Sequence, residues 1–119
     1  MQTRKFHLGD VLSVIMHRPV SPRGIDGMCD LLKFMLGRGK DISLLYLEEG
    51  CNKCRPRLLE QFPQFATPEM HITIVKLVTE IDKMLKTRRG IFKVDKVAAD
   101  WLLTQVATFG EKLVVKPIP

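Results

Sequence analysis

Long apolar runs are missing from this chain. No stretch approaches the roughly 20 consecutive apolar residues needed to cross a bilayer, so no membrane partner is expected. The opening MQTRKFHLGD reaches Asp10 before a signal-peptide-like apolar region develops. Cysteine is scarce and odd in number, with only Cys29, Cys51 and Cys54. An odd count argues against a disulfide framework and suits a reducing compartment. These absences together point to a cytoplasmic protein.

Motifs that carry chemistry are equally scarce. Gly24, Gly27, Gly37 and Gly39 do not follow the spacing of a phosphate loop or a dinucleotide fingerprint. Ser13 falls within a helical pattern and Ser21 reads as a helix cap, so neither suggests a nucleophile. Glu48-Glu49 reads as a solvated turn, and Asp10, Asp26 and Asp30 as the polar faces of helices. The pair Cys51 and Cys54 alone has metal or redox spacing. Zinc takes about four ligands, and Cys29, His7, His17 and His71 form no second pair. No metal site is assigned, Cys51 and Cys54 remaining as weak candidates. A thioredoxin-like role needs a preceding strand in a βαβ pattern, which is not visible. A thiol at the start of a helix opening at Pro56 nevertheless has a physical reason for a lowered pKa. No cofactor is expected, and the chain reads as non-enzymatic.

What is present is a patterned helical domain. In 119 residues, 45% are hydrophobic and 27% charged, enough apolar material for a core without staples. Leu8, Val11, Leu12 and Ile15 recur at helical spacing and predict a short helix with one buried face, ended near His17 by Pro19. Ser21-Pro22 reads as the cap and first turn of a second helix. Its stripe is Ile25, Met28, Cys29, Leu32, Met35 and Leu36, with stops at Gly37 and Gly39. Gly24 and Gly27 suggest close approach of another backbone.

The segment DISLLYL (41–47) fits a strand or a short helix. Glu48, Glu49 and Gly50 read as its end, and Pro56 as the first turn of a short helix closed by Pro63. Thr67-Pro68-Glu69 then marks the best helix start in the chain. The stripe behind it runs through Met70, Ile74, Leu77, Val78, Ile81, Met84 and Leu85. Arg88, Arg89 and Gly90 are expected to finish that helix. Ile91 to Val94 reads as an extended link, and Asp95 as the cap of a last helix facing inward with Ala98, Trp101, Leu102, Val106 and Phe109. The tail KLVVKPIP is a strand or docked segment whose natural partner is Arg4 to Leu8. The expected fold is mainly α: a compact single domain of about five helices over residues 1–119. A short two-stranded element joining the N- and C-terminal segments completes it.

The formal net charge is +6, which admits nucleic acid as a partner. Basic residues gather at Arg4-Lys5, His17-Arg18 with Arg23, Arg38 with Lys40, Lys53-Arg55-Arg57 and Lys86-Arg88-Arg89. Two helices joined by a turn suggest a helix-turn-helix. However, the would-be reading helix, Ile25 to Leu36, carries only Lys33 as a basic residue, where several polar side chains are needed to read base edges. Six methionines, four of them on helical stripes (Met28, Met35, Met70, Met84), offer adaptable apolar surface for a protein partner or a second copy, or else core filling.

The residues from Phe6 onward resemble a family of small uncharacterised proteins encoded by tailed phages and prophages of Proteobacteria. The resemblance rests on Phe6, Leu8-Gly9-Asp10-Val11-Leu12-Ser13, Arg18, Val20-Ser21-Pro22, Ile25-Asp26-Gly27, Asp30-Leu31-Leu32 and Phe34-Met35. It continues in Cys54-Arg55-Pro56, Leu58-Leu59, Gln61 and Pro63-Gln64, and near the end in Trp101-Leu102, Gln105-Val106-Ala107 and Phe109-Gly110-Glu111. The chain departs from the pattern between about Ala66 and Val94, and Cys51 lies outside it. The resemblance implies a phage-derived protein in the bacterial cytoplasm and transfers no catalytic residue.

The expected function is a non-enzymatic accessory protein acting by protein–protein contact, for example on a host or defence factor. The candidate partner-binding residues are His17, Arg18, Ser21, Arg23, Arg55 and Arg57. The alternatives are a basic nucleic-acid-binding protein and a zinc- or thiol-dependent protein using Cys51 and Cys54.

Overall fold

The computed structural model describes residues 2–37, 47–86 and 91–118, without the side chains of residues 91–93 and 95. Its elements are β1 (Arg4–His7), α1 (Leu8–Met16), α2 (Ile25–Leu36), α3 (Leu47–Gln61), a 3₁₀ turn (Pro63–Phe65), α4 (Pro68–Leu85), α5 (Ile91–Phe109) and β2 (Lys112–Val115). The mainly α architecture with a two-stranded element at the termini is the one expected. Expectations for Arg38, Gly39, Lys40, the segment 41–46 and Arg88 to Gly90 lie outside the described residues.

The termini meet as an antiparallel ribbon with Arg4 opposite Val115, Lys5 opposite Val114, Phe6 opposite Leu113 and His7 opposite Lys112. Phe6, Leu113 and Val115 turn inward and are buried. The tail beyond β2 is docked rather than loose. Gln61 clamps Lys116, accepting from its N–H at 2.8 Å and donating to its carbonyl at 2.9 Å. The Ile118 N–H donates to the Met35 carbonyl at 2.9 Å.

Helix α1 is the hub. Every residue from Leu8 to Ile15 is buried, so the helix has no solvent face. That corrects the one-faced helix expected from its spacing. The reason is encirclement: α2, α3, α5 and β1 all pack on α1. Gly9 is part of how they fit, because a Cβ there would sit 2.9 Å from the Ser21 Cα and 3.0 Å from Leu102 Cδ2. His7 caps the helix, its Nδ1 accepting from the Gly9 N–H at 2.9 Å. A helix buried on all sides places Asp10 and Ser13 in the core as well, and buried polar groups are costly unless they find partners.

The other helices follow their sequences more closely. In α2, Met28, Leu31, Leu32 and Met35 are buried, and Gly37 ends the helix in the left-handed region at φ 66°. The helix starts at Ile25 behind Gly24, not behind Ser21, because Ser21 to Gly24 form a separate turn closed by the Gly24 N–H and the Ser21 carbonyl at 2.9 Å. Helix α3 starts at Leu47, so Glu48 to Gly50 open a helix instead of ending a segment, and Pro56 lies inside it on the exposed side. In α4, the Thr67 hydroxyl accepts from the Met70 N–H as expected of its cap. Only Met70, Leu77 and Ile81 of its stripe are fully buried, and Leu85 is exposed. Helix α5 begins at Ile91, so the expected link and the Asp95 cap are replaced by continuous helix. Phe65 and Phe109 meet edge-on at 5.1 Å and join the 3₁₀ turn to α5.

Candidate functional site

The polar residues of α1 build the site. The Ser13 hydroxyl donates to the Gly9 carbonyl at 2.6 Å and accepts from the Val20 and Ser21 N–H groups at 2.9 and 3.1 Å. One buried serine therefore pins the turn after α1 back onto the helix. Asp10, 1% exposed, accepts from the Ser21 hydroxyl through Oδ1 at 2.5 Å and from Arg23 Nη2 through Oδ2 at 2.7 Å. Arg23 also reaches Asp30 at 3.3 Å, and Arg4 donates to Asp30 at 2.8 Å while stacking 4.7 Å over the Phe6 ring. The hydrogen bond to Asp10 is the main cause that raises the Arg23 pKa above its ordinary value, so its charge is fixed. Gly27 lies against this cluster, where a Cβ would fall 2.0 Å from Asp10 Oδ1 and 2.9 Å from Ser21 Oγ. The close neighbour anticipated at Gly27 is thus a carboxylate, not a backbone.

With the turn pinned to α1, a trough of about 940 Å³ lies between the turn and α5. Its lining is Val20, Pro22 and Ile25 on one wall and Ala98, Leu102, Leu103 and Val106 on the other, with Arg23, His7 and Glu111 at the margin. Leu103 is 66% exposed and Ile25 40% exposed. A second, polar bay of about 320 Å³ adjoins it, lined by Arg4, Lys5, Arg23, Lys112 and Asp10. His7, Ser21, Pro22 and Arg23 line both, so trough and bay are one continuous surface.

The candidate residues from the sequence divide among three places. Ser21 and Arg23 belong to the Asp10 cluster, although Ser21 is buried and its hydroxyl is engaged. Arg18 is exposed at the end of α1 and faces Asp82 of α4 at 3.3 Å. Arg55 borders a separate apolar cleft of about 380 Å³ with Met16, Phe65 and His71, and Arg57 pairs with Glu60 of its own helix at 3.5 Å. The residues missed are Asp10, which the 3.6-residue pattern places on a polar face, and Leu103, which the apolar stripe of α5 leaves out.

His17 occupies the C-cap of α1 at φ 57°, a left-handed conformation that costs a residue with a Cβ about 1–2 kcal/mol. Replacing it with glycine is expected to raise stability by about 0.5–1 kcal/mol in urea melts. A loss would show that the imidazole has a native partner.

The cysteines do not form a reactive pair. Cys51 and Cys54 are buried in the first half of α3, upstream of Pro56 and not at its helix start. Burial pushes their pKa up to about 11 and about 12 from 9.0, correcting the lowered pKa expected for them. Among the described residues, no three His, Cys, Asp or Glu side chains group as metal ligands. Iodoacetamide at pH 8 is expected to modify the half-buried Cys29 well before either, as peptide mapping by mass spectrometry would show. Because the folded thiols hold their protons more tightly than unfolded ones, their contribution to stability is intact below pH 9.0 and declines as pH rises toward about 11 and 12. Equal labelling of all three thiols would contradict this placement.

The profile of a domain of unknown function, DUF7736, matches residues 6–67, more than half of the 119-residue chain. The chain belongs to the DUF7736 family. No curated protein and no solved structure matches it. The DUF7736 segment runs from β1 to the cap of α4 and therefore contains Asp10, Ser13, Ser21, Arg23 and Gly27. Helix α5 and β2 lie beyond it, so one wall of the trough belongs to the DUF7736 match and the other does not. No helix among the described residues is long and apolar enough to cross a membrane.

Proposed function

We propose that this DUF7736 protein is a small phage or prophage accessory protein working in the bacterial cytoplasm as a non-enzymatic protein–protein interaction module. In this reading the trough holds an apolar segment of a host or defence factor. The observation that carries it is Leu103, held 66% exposed opposite Ile25 by a turn fixed to the core through Ser13 and Asp10. Exposed apolar side chains scattered singly are ordinary, but several lining one concave surface mark a binding site. Of the four stripe methionines, Met28, Met35 and Met70 are buried and serve as core filling. The phage setting is supported by the resemblance of Phe6 to Gln64 and Trp101 to Glu111.

A polyanion partner is supported less well. Arg4, Arg18, Arg23, Lys53 and Arg57 each face a carboxylate of the same chain. Among the described residues, the trough is lined by no Phe, Tyr or Trp on which bases could stack.

The test uses Leu103→Arg, a solvent-facing change that leaves the core intact. A host protein captured by the wild-type chain is purified and its affinity remeasured for both forms. A loss of about tenfold or more supports docking in the trough, provided Arg55→Glu with Arg57→Glu has no effect. Unchanged affinity in Leu103→Arg, or binding only to nucleic acid with a steep salt dependence, overturns it.

A further inference from the structure

We infer that the segment bound in the trough is amphipathic and carries carboxylates at one end, which reach Lys5 and Lys112 in the adjoining bay. This rests on the trough being the docking surface. The ribbon register places Lys5 opposite Val114 and Lys112 opposite His7, on the outward face, away from the buried Phe6 and Leu113 pair. The two lysines are therefore diagonal neighbours, about 7–8 Å apart by strand geometry. Arg4 and Arg23, the other cations of the bay, are occupied by Asp30 and Asp10. Among the described residues neither lysine has an ion-pair partner: Asp10, the acid of the bay, is held by Ser21 and Arg23, and Glu111 at the trough margin faces His7 at 3.7 Å. Two like charges held side by side without a counterion disfavour the free protein and favour any ligand that supplies one.

Continuity of bay and trough turns that preference into a pattern. A chain lying along Leu103 and Ile25 leaves the trough past Pro22 and Arg23 and enters the bay between the lysines. Apolar residues at helical spacing followed by two or more Asp or Glu satisfy both parts. A second copy of this chain fits poorly, because its net charge of +6 brings cations toward the same lysines.

The test selects displayed random peptides of about 15 residues, four helical turns, on the intact protein and measures the winners as soluble labelled peptides by anisotropy. The expected winners carry Asp or Glu at one end. Their affinity should fall about tenfold or more in Leu103→Arg and in the double variant Lys5→Glu with Lys112→Glu, and weaken with added salt. Winners lost in Leu103→Arg but indifferent to the lysine variant and to salt overturn the acidic end and leave the trough reading standing. No winners, or winners indifferent to Leu103→Arg, overturn both. Dimerisation of the free protein that Leu103→Arg abolishes also overturns the inference, since the trough is then a self-interface.

Discussion

Replacing Gly27 with alanine is expected to destabilise this protein by about 2–4 kcal/mol, against the usual direction for glycine inside a helix. Alanine normally gains up to about 1 kcal/mol there. At this position the added methyl would stand 2.0 Å from Asp10 Oδ1, well inside contact distance. Asp10 has nowhere to retreat, since Ser21 and Arg23 hold its two oxygens and the residue is 1% exposed. Overpacking of a tight core costs about 1–3 kcal/mol. Displacing a buried carboxylate from its donors adds about 1–3 kcal/mol. Denaturant melts with an unchanged slope would report the loss directly. Gly24→Ala is the control: open space surrounds that Cβ, and only its φ of 59° opposes the change, for about 1–2 kcal/mol. A Gly27→Ala variant as stable as wild type would show that α2 can slide away from α1.

The carboxylate beside Gly27 is not visible in the sequence, because local patterns carry no information about which side chains meet across helices. Apolar spacing identifies α2, the capping hydroxyl of Thr67 identifies α4, and the short apolar tail KLVVKPIP with Arg4 to Leu8 as its natural partner suggests the ribbon. Each of those signals lies in a short stretch of sequence. The burial of α1 on every side is not local. It depends on α2, α3, α5 and β1 arriving around it, and Gly9, Asp10 and Ser13 look like a polar face until they do. The same limit hides the start of α3, where Pro56 suggests a first turn. A proline inside a helix forfeits a hydrogen bond and crowds the preceding turn, and here the buried Cys51, Cys54 and Leu58 hold α3 together around it.

The trough had a readable signal in part. Leu102 and Leu103 are consecutive, and successive helical residues are about 100° apart, so both cannot face one core. Leu102 is 5% exposed and Leu103 66% exposed, which resolves the pair. What covers the outer leucine is a question of surface shape, set by the Pro19 to Ile25 turn, and that turn is positioned by buried hydrogen bonds that no spacing rule reveals. The candidate partner-binding residues show the opposite case. His17, Arg18, Ser21 and Arg23 are close in sequence, yet Arg18 faces α4 while Arg23 turns back to the Asp10 cluster.

Arg23→Ala should be more damaging than Asp10→Asn, although both break the same ion pair. The difference lies in what each variant leaves behind. Arg23 is 49% exposed as a side chain, so without the Asp10 carboxylate it is hydrated by solvent and keeps Asp30 at 3.3 Å. Asparagine at position 10 also retains an oxygen that accepts from Ser21. The asparagine variant therefore loses a charge-assisted hydrogen bond, worth about 1.5–3 kcal/mol at most. Asp10 is in the converse position, its side chain 1% exposed. Without Arg23 its negative charge is left in the core with the Ser21 hydroxyl as its side-chain donor, and an uncompensated buried charge costs about 3–5 kcal/mol. The same variant releases the Ser21 to Gly24 turn from one of its anchors, so peptide affinity in the trough should fall together with stability. The double variant Asp10→Asn with Arg23→Ala separates the two effects. If the penalty is the stranded charge, the double variant is more stable than Arg23→Ala alone, and a double-mutant cycle in denaturant reports a coupling of about 1 kcal/mol or more. Equal losses from the two single variants, with no coupling, would mean that Arg23 packs against the turn without neutralising Asp10.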